Sequence, residues 1–289
     1  MRFSLKWCLH LIGGGFGFAG VVFVALRLSS YTEQLDLARF TLTTWAIIVL
    51  LALTYGVANI MLARSWWHLL TLLDVQARWR WTIKAYGQSQ LAKYVPGNIF
   101  HLAGRQALGM AEGLPARPLA KSIAWELGLI AIAGLLFAVL AVPLVWSALS
   151  LSVASFLFVT FSVALYSLTR RSFCPQVAFA LAWQVTFLGV SSIIFVGALA
   201  VIVPQSTVIP AFPALCGVYV IAWIAGLVTP GTPAGVGVRE LVLLSLLGNQ
   251  FAQADLLLAI VLGRVVTVVG DLLYFIVATF LKPRERSYE

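Results

Sequence analysis

Charge is what this chain has least of. Only 10% of its 289 residues are Asp, Glu, Lys or Arg, against about 25% in an ordinary soluble domain. With 61% apolar residues and a mean hydropathy of +0.98, it lacks the polar surface needed to face water on every side. Cysteine is scarce too: Cys8, Cys174 and Cys216 lie far apart, with no CxxC and no neighbouring histidine. That pattern points to neither a disulfide framework nor a metal site, and the three read as small apolar packing residues. His10, His68 and His101 are equally scattered, and only His101 falls in a segment of interest. No GxSxG, Walker A loop or Asp-x-Asp pair occurs, so nothing points to a cofactor or to ATP-driven work. The glycine run Gly13–Gly17 sits inside an apolar stretch, where it lets helices approach closely rather than cradling a dinucleotide.

What the chain does have is long apolar runs. Seven are uninterrupted: Leu9–Leu26, Thr41–Leu62, Ser122–Val145, Leu149–Leu168, Val177–Val203, Ala211–Val228 and Leu256–Leu281. Each is about as long as a membrane-spanning helix. The fold class expected is therefore all-α, a polytopic membrane bundle forming one integral-membrane domain over residues 1–289. Basic residues outnumber acidic ones, 19 to 10, for a formal charge of +9. They are scattered in short loops, which fits anionic lipid headgroups and not nucleic acid. Arg2, Lys6, Arg64, Arg78, Arg80, Lys84, Arg117, Lys121, Arg170, Arg171, Lys282, Arg284 and Arg286 fall on one side, and only Arg27 and Arg39 on the other. The positive-inside rule makes the first side cytoplasmic. This works if Thr82–Leu108 enters and returns on that side while Thr229–Leu247 crosses as a broken helix, giving about eight crossings with both termini in the cytoplasm. Trp66, Trp67, Trp79 and Trp81 read as an interfacial belt.

Two segments stand apart. The chain has two Pro-Gly dipeptides, Pro96-Gly97 and Pro230-Gly231, and an arginine follows each proline by nine residues, Arg105 and Arg239. Broken segments at matching places in two halves, about 1–145 and 146–289, suggest an inverted repeat. Proline removes a backbone donor and glycine releases the helical geometry, so such a break must line a polar cavity or be buried in protein. A half-helix restarting after each break, with Asn98 or Thr232 as cap, presents free N–H groups that suit a phosphate. Arg105 and Arg239 would add a planar fork that matches phosphate oxygens. Glu126, Glu240, Arg264 and Asp271 lie in or beside apolar spans, where ionisable groups face a cavity or one another. Candidate pairs are Arg264 with Asp271 and Arg105 with Glu126; Lys93 joins the basic group or lies at the surface.

The segments Lys93–Arg105 (KYVPGNIFHLAGR), Thr229–Glu240 (TPGTPAGVGVRE) and Leu256–Val266 (LLLAIVLGRVV), with the Glu126 helix, resemble the transmembrane region of lysylphosphatidylglycerol synthase/flippases and their stand-alone relatives. The resemblance runs from about residue 80 to 281. It implies a flippase-like bundle moving anionic, aminoacylated or polyprenyl-linked lipids, without the aminoacyl-transferase domain. It also implies that Lys93, Pro96, Gly97, Arg105, Glu126, Pro230, Gly235, Gly237, Arg239, Glu240 and Arg264 are the family's characteristic positions.

The expected function is translocation of an anionic phospholipid or polyprenyl-phosphate lipid across the cytoplasmic membrane, without enzymatic chemistry. The partners are membrane lipids, and the small-residue faces fit a monomer or a homodimer. Two other readings stay open at this point. A polyprenyl-phosphate-sugar glycosyltransferase needs an acidic site at the aqueous interface, where only Glu33, Asp36 and Asp255 are on offer. A small-anion transporter would use the same arginine cavity but keep it closed to lipid.

Overall fold

A computed structural model describes residues 40–281 apart from 98, 147 and 230. The first apolar run, the glycine run within it, Asn98, Pro230 and the basic residues near both termini lie outside the described residues. Among those described, the chain is all-helical. The helices are α1 (Leu42–Leu72), α2 (Trp79–Gln90), α3 (Phe100–Ala111), α4 (Ala116–Val145), α5 (Leu151–Ser172) and α6 (Pro175–Ile202). They are followed by the single turn α7 (Gln205–Val208), α8 (Phe212–Val228), α9 (Val238–Leu247) and α10 (Gln253–Phe280). Short 3-10 turns at Leu91–Tyr94 and Pro233–Gly235 flank the two breaks.

Local chemistry sets several of these boundaries. Thr41 accepts a hydrogen bond from the Thr44 amide at the start of α1, and Ser150 accepts one from Val153 at the start of α5. Pro175 sits in the first turn of α6, where its missing N–H costs nothing. Six of the seven apolar runs correspond to α1, α4, α5, α6, α8 and α10. Five of these helices, α1, α4, α5, α6 and α10, are long and apolar enough to cross a membrane, and the chain is a multi-pass helical membrane protein. Helix α5 buries little beyond Ala154 and Thr169 and turns Phe156, Val159, Phe161 and Val163 outward.

Glycines let the central helices touch backbone to backbone. A Cβ on Gly270 of α10 would stand 2.7 Å from the Ala52 carbonyl oxygen of α1, and one on Gly56 would stand 3.0 Å from the Gly270 carbonyl. Helices α4 and α8 are locked in the same way. Gly217 abuts the backbone of Phe137 and Ala141, while Gly134 faces Ile224. These two contacts run in opposite senses along the chain, so α8 descends antiparallel to α4 and its end at Val228 falls opposite the middle of that helix.

The sequence suggested that Thr229–Leu247 crosses as a broken helix; in the structure its helical parts are the 3-10 turn Pro233–Gly235 and the ten-residue α9. Ten residues of α helix cover about 15 Å, half the thickness of a hydrocarbon core. Helix α9 packs back against α8 and buries Leu243 and Leu247, so α8 and α9 form a hairpin. Helices α2 and α3 form a second hairpin about the 95–99 break.

Candidate functional site

The tips of the two hairpins meet. Gly97 and Gly231 form an antiparallel bridge, with φ of 123° and 85°, in the region that only glycine adopts without strain. The glycines of the two Pro-Gly dipeptides thus meet; Gly97 is half-buried, Pro96 and Gly231 are exposed, and Pro230 lies outside the described residues.

Around this junction four cations and three acids are arranged in pairs. Arg105 projects from the middle of α3 and is 2% exposed. Its Nη1 donates to Glu126 Oε1 at 3.1 Å and its Nη2 to Oε2, while the guanidinium lies 4.6 Å from the Trp66 ring centroid and 4.5 Å from that of Tyr86. The Tyr86 hydroxyl also donates to Glu126, at 2.9 Å, and Gln184 of α6 donates to the Glu126 carbonyl. Trp66, read from the sequence as part of an interfacial belt, is instead a buried wall of this pair. Trp67 and Trp79 do flank a basic residue, Arg64, whose guanidinium lies 4.6 and 4.8 Å from their rings.

Asp271 is fully buried in α10 and forms the second hub. It receives Lys93 Nζ at 2.7 Å, the Tyr94 hydroxyl at 2.6 Å and Asn59 Nδ2 at 3.2 Å. Gln90 reaches toward the same carboxylate while donating to Asn59 Oδ1 at 3.0 Å. Lys93 is therefore an interior cation and not a surface residue. Arg264 does not reach Asp271, its expected partner. Its Nε donates to Glu240 Oε1 at 2.7 Å, and its Nη1 and Nη2 donate to the Ala234 and Gly235 carbonyls. Glu240 in turn accepts the Gly237 amide at 2.7 Å, so the start of α9 is capped by its own carboxylate. Thr232, the expected cap, instead donates its hydroxyl to the Thr229 carbonyl, and Glu240 takes one amide of the helix start, that of Gly237.

Arg239 is the exception. It sits in the first turn of α9 with its guanidinium 5.3 Å from the Trp223 centroid. Its Nε is buried without a hydrogen-bond partner, and among the described residues no acid lies within ion-pair distance. Two glycines make room for it: a Cβ on Gly226 would lie 2.7 Å from Arg239 Cγ, and one on Gly235 would lie 3.0 Å from its Nε. Arg239 lines a cavity of about 60 Å³ together with Lys93, His101, Glu126, Tyr86 and Gln90. His101 Nδ1 is likewise buried and unpartnered. The wall also includes Leu127, which is 38% exposed on the outer face of α4.

The structure thus brings Lys93, Gly97, Arg105, Glu126, Gly231, Gly235, Gly237, Arg239, Glu240, Arg264 and Asp271 into one connected region. It separates the roles of the two arginines, because Arg105 is neutralised by Glu126 while only Arg239 turns toward the cavity. Tyr86, Asn59, Gln90, Tyr94, Trp223 and Gly226 were not singled out from the sequence, and Trp66 was read only as part of the belt. The polar members Asn59, Gln90 and Gln184 carried a signal, since uncharged polar groups inside apolar stretches must find partners there.

Fold and site together define a class: a multi-pass helical membrane protein with a paired, charged interior around two broken hairpins. In comparisons with known proteins, no family model and no curated protein matches the chain.

Proposed function

We propose that this protein translocates an anionic phospholipid or a polyprenyl-phosphate-linked lipid across the cytoplasmic membrane, in the manner of the lysylphosphatidylglycerol synthase/flippase transmembrane region that it resembles. The observation that carries the reading is the charge inventory of the interior: Lys93, Arg105 and Arg264 use the three acids Asp271, Glu126 and Glu240. Arg239 is left to face the cavity without a counter-charge. An unpaired guanidinium in a low-dielectric interior is costly, and an entering phosphate offsets that cost while matching its planar donor fork.

In this reading α2–α3 and α8–α9 are re-entrant hairpins inserted from opposite faces of the membrane, related as an inverted repeat, with the Gly97–Gly231 contact near the midplane. The basic residues of the 64–84 region support a cytoplasmic position for that end of α1. Leu127 supports a lipid as cargo, because it links the polar cavity to the lipid-facing surface of α4. At about 60 Å³ the cavity holds a few waters, as in an occluded state; rocking of one hairpin against the other would open it.

The test is a translocation assay with a labelled anionic lipid in reconstituted vesicles. The Arg239→Gln protein should remain folded and lose transport, and full activity in that variant removes the proposed role. The small cavity also favours a second reading, a transporter for small anions. Flux of inorganic phosphate or chloride without lipid movement would establish that alternative.

A further inference from the structure

We infer that the cavity selects a phosphodiester headgroup bearing one negative charge and no ammonium. This rests on the lipid-binding reading above and sharpens it to a charge class.

The charges that line the cavity, Lys93, Glu126 and Arg239, and the ion pairs behind them decide what an entering headgroup can have neutralised. Four cations, Lys93, Arg105, Arg239 and Arg264, face three carboxylates, Glu126, Glu240 and Asp271, and each carboxylate is in an ion pair. His101, an imidazole whose ordinary pKa is about 6.5, is counted as neutral at pH 7. The interior therefore has one surplus positive charge. A headgroup drawn in from the interface leaves its water behind, so its charge must be met by the walls. One negative charge is balanced by Arg239. A phosphomonoester or diphosphate brings additional negative charge that no unpaired cation meets. A zwitterionic or aminoacylated headgroup brings an ammonium, and no carboxylate is unpaired to receive it.

The hydrogen-bonding inventory agrees. Tyr86 donates to Glu126 and Gln90 to Asn59. The unpartnered buried polar atoms of the cavity-lining residues include Arg239 Nε and His101 Nδ1. A phosphodiester has two non-bridging oxygens. Arg239 serves one and His101, protonated on Nδ1, serves the other.

The experiment uses the purified protein in phosphatidylcholine bilayer discs doped in turn with phosphatidylglycerol, phosphatidate or phosphatidylethanolamine, with retained lipid read by native mass spectrometry. Phosphatidylglycerol should be retained about tenfold over the other two, and Arg239→Gln should abolish that preference. Glu126→Gln releases Arg105 and raises the surplus to two, so this variant should shift the preference toward phosphatidate. If it does not fold, the ranking by the wild-type protein decides alone. Stronger wild-type retention of phosphatidate or of the amine-bearing lipid overturns the inference while leaving an anion or lipid site in place. Equal retention of all three lipids overturns both this inference and the translocase reading. Glycerophosphoglycerol added to the discs distinguishes the two sources of a phosphodiester. Failure to displace bound phosphatidylglycerol supports a membrane lipid as ligand, whereas full displacement keeps the charge class and overturns the lipid.

Discussion

Gly97 and Gly231 pair across an antiparallel bridge although more than a hundred residues of chain separate them. Each is the second residue of a Pro-Gly dipeptide, and each has a positive φ. Each break thus supplies a backbone partner for the other.

Alanine should be tolerated unequally at these two positions. Either change forces an L residue into the left-handed region, at about 1–2 kcal/mol. At Gly231 a Cβ meets open space, whereas at Gly97 it would stand 2.8 Å from the Phe100 ring. Thermal unfolding in detergent should place Gly97→Ala below Gly231→Ala, with both below the wild-type protein.

The Arg105–Glu126 pair should behave as a buried structural ion pair. Removing one partner leaves an uncompensated charge against Trp66 and Tyr86, and destabilisation of about 3–5 kcal/mol is expected for Arg105→Met or Glu126→Leu alone. The combined Arg105→Met and Glu126→Leu replacement should cost clearly less than the sum of the single changes. A double-mutant cycle on unfolding midpoints checks this, and simple additivity would show that the contact carries no coupling.

The helices were legible in the sequence because apolar length alone specifies them; runs such as Val177–Val203 and Ser122–Val145 fall almost entirely within α6 and α4. The two broken segments were also visible, since Pro-Gly is rare and the arginine offset repeats. The pairing was not. Arg264 and Asp271 share a helix face, but seven residues put them about 10 Å apart along the axis, too far to touch, and each turned to another segment. Likewise, adjacent residues on a helix diverge in direction by about 100°, so Glu240 can meet Arg264 while its neighbour Arg239 faces the cavity. The same divergence leaves Trp66 inside the bundle and Trp67 beside Arg64, a difference that composition cannot reveal.

The crossing of α1 and α10 should be among the least forgiving sites in the bundle. At Gly270 the obstacles to a Cβ are the Ala52 carbonyl oxygen at 2.7 Å and the Gly56 amide nitrogen at 3.0 Å, both backbone, which cannot swing aside as a side chain does. Gly270→Val should separate the helices and displace Asp271, lowering the yield of folded protein and its unfolding temperature. A variant as stable as wild type would mean that the helices are not in close contact.

Gly226 offers a way to move Arg239 without changing its charge. A Cβ there meets Arg239 Cγ at 2.7 Å and Nε at 2.8 Å, and the nearest backbone atom, Gly235 Cα, at 3.1 Å. The side chain is the easier of these to displace, so Gly226→Ala should push the guanidinium off the Trp223 ring and away from its present position at the cavity wall. Binding of an anionic lipid should then weaken by about tenfold, equivalent to ~1.4 kcal/mol, with a small change in unfolding temperature. Gly217→Ala is the matched comparison on the same helix. Its Cβ would meet the Phe137 carbonyl and the Ala141 amide of α4 at 2.7 and 2.8 Å, so it should lower stability without a selective loss of anion binding. If both variants lost stability and binding in the same proportion, the placement of Arg239 would be a consequence of helix packing in general, and Gly226 would have no particular part in it.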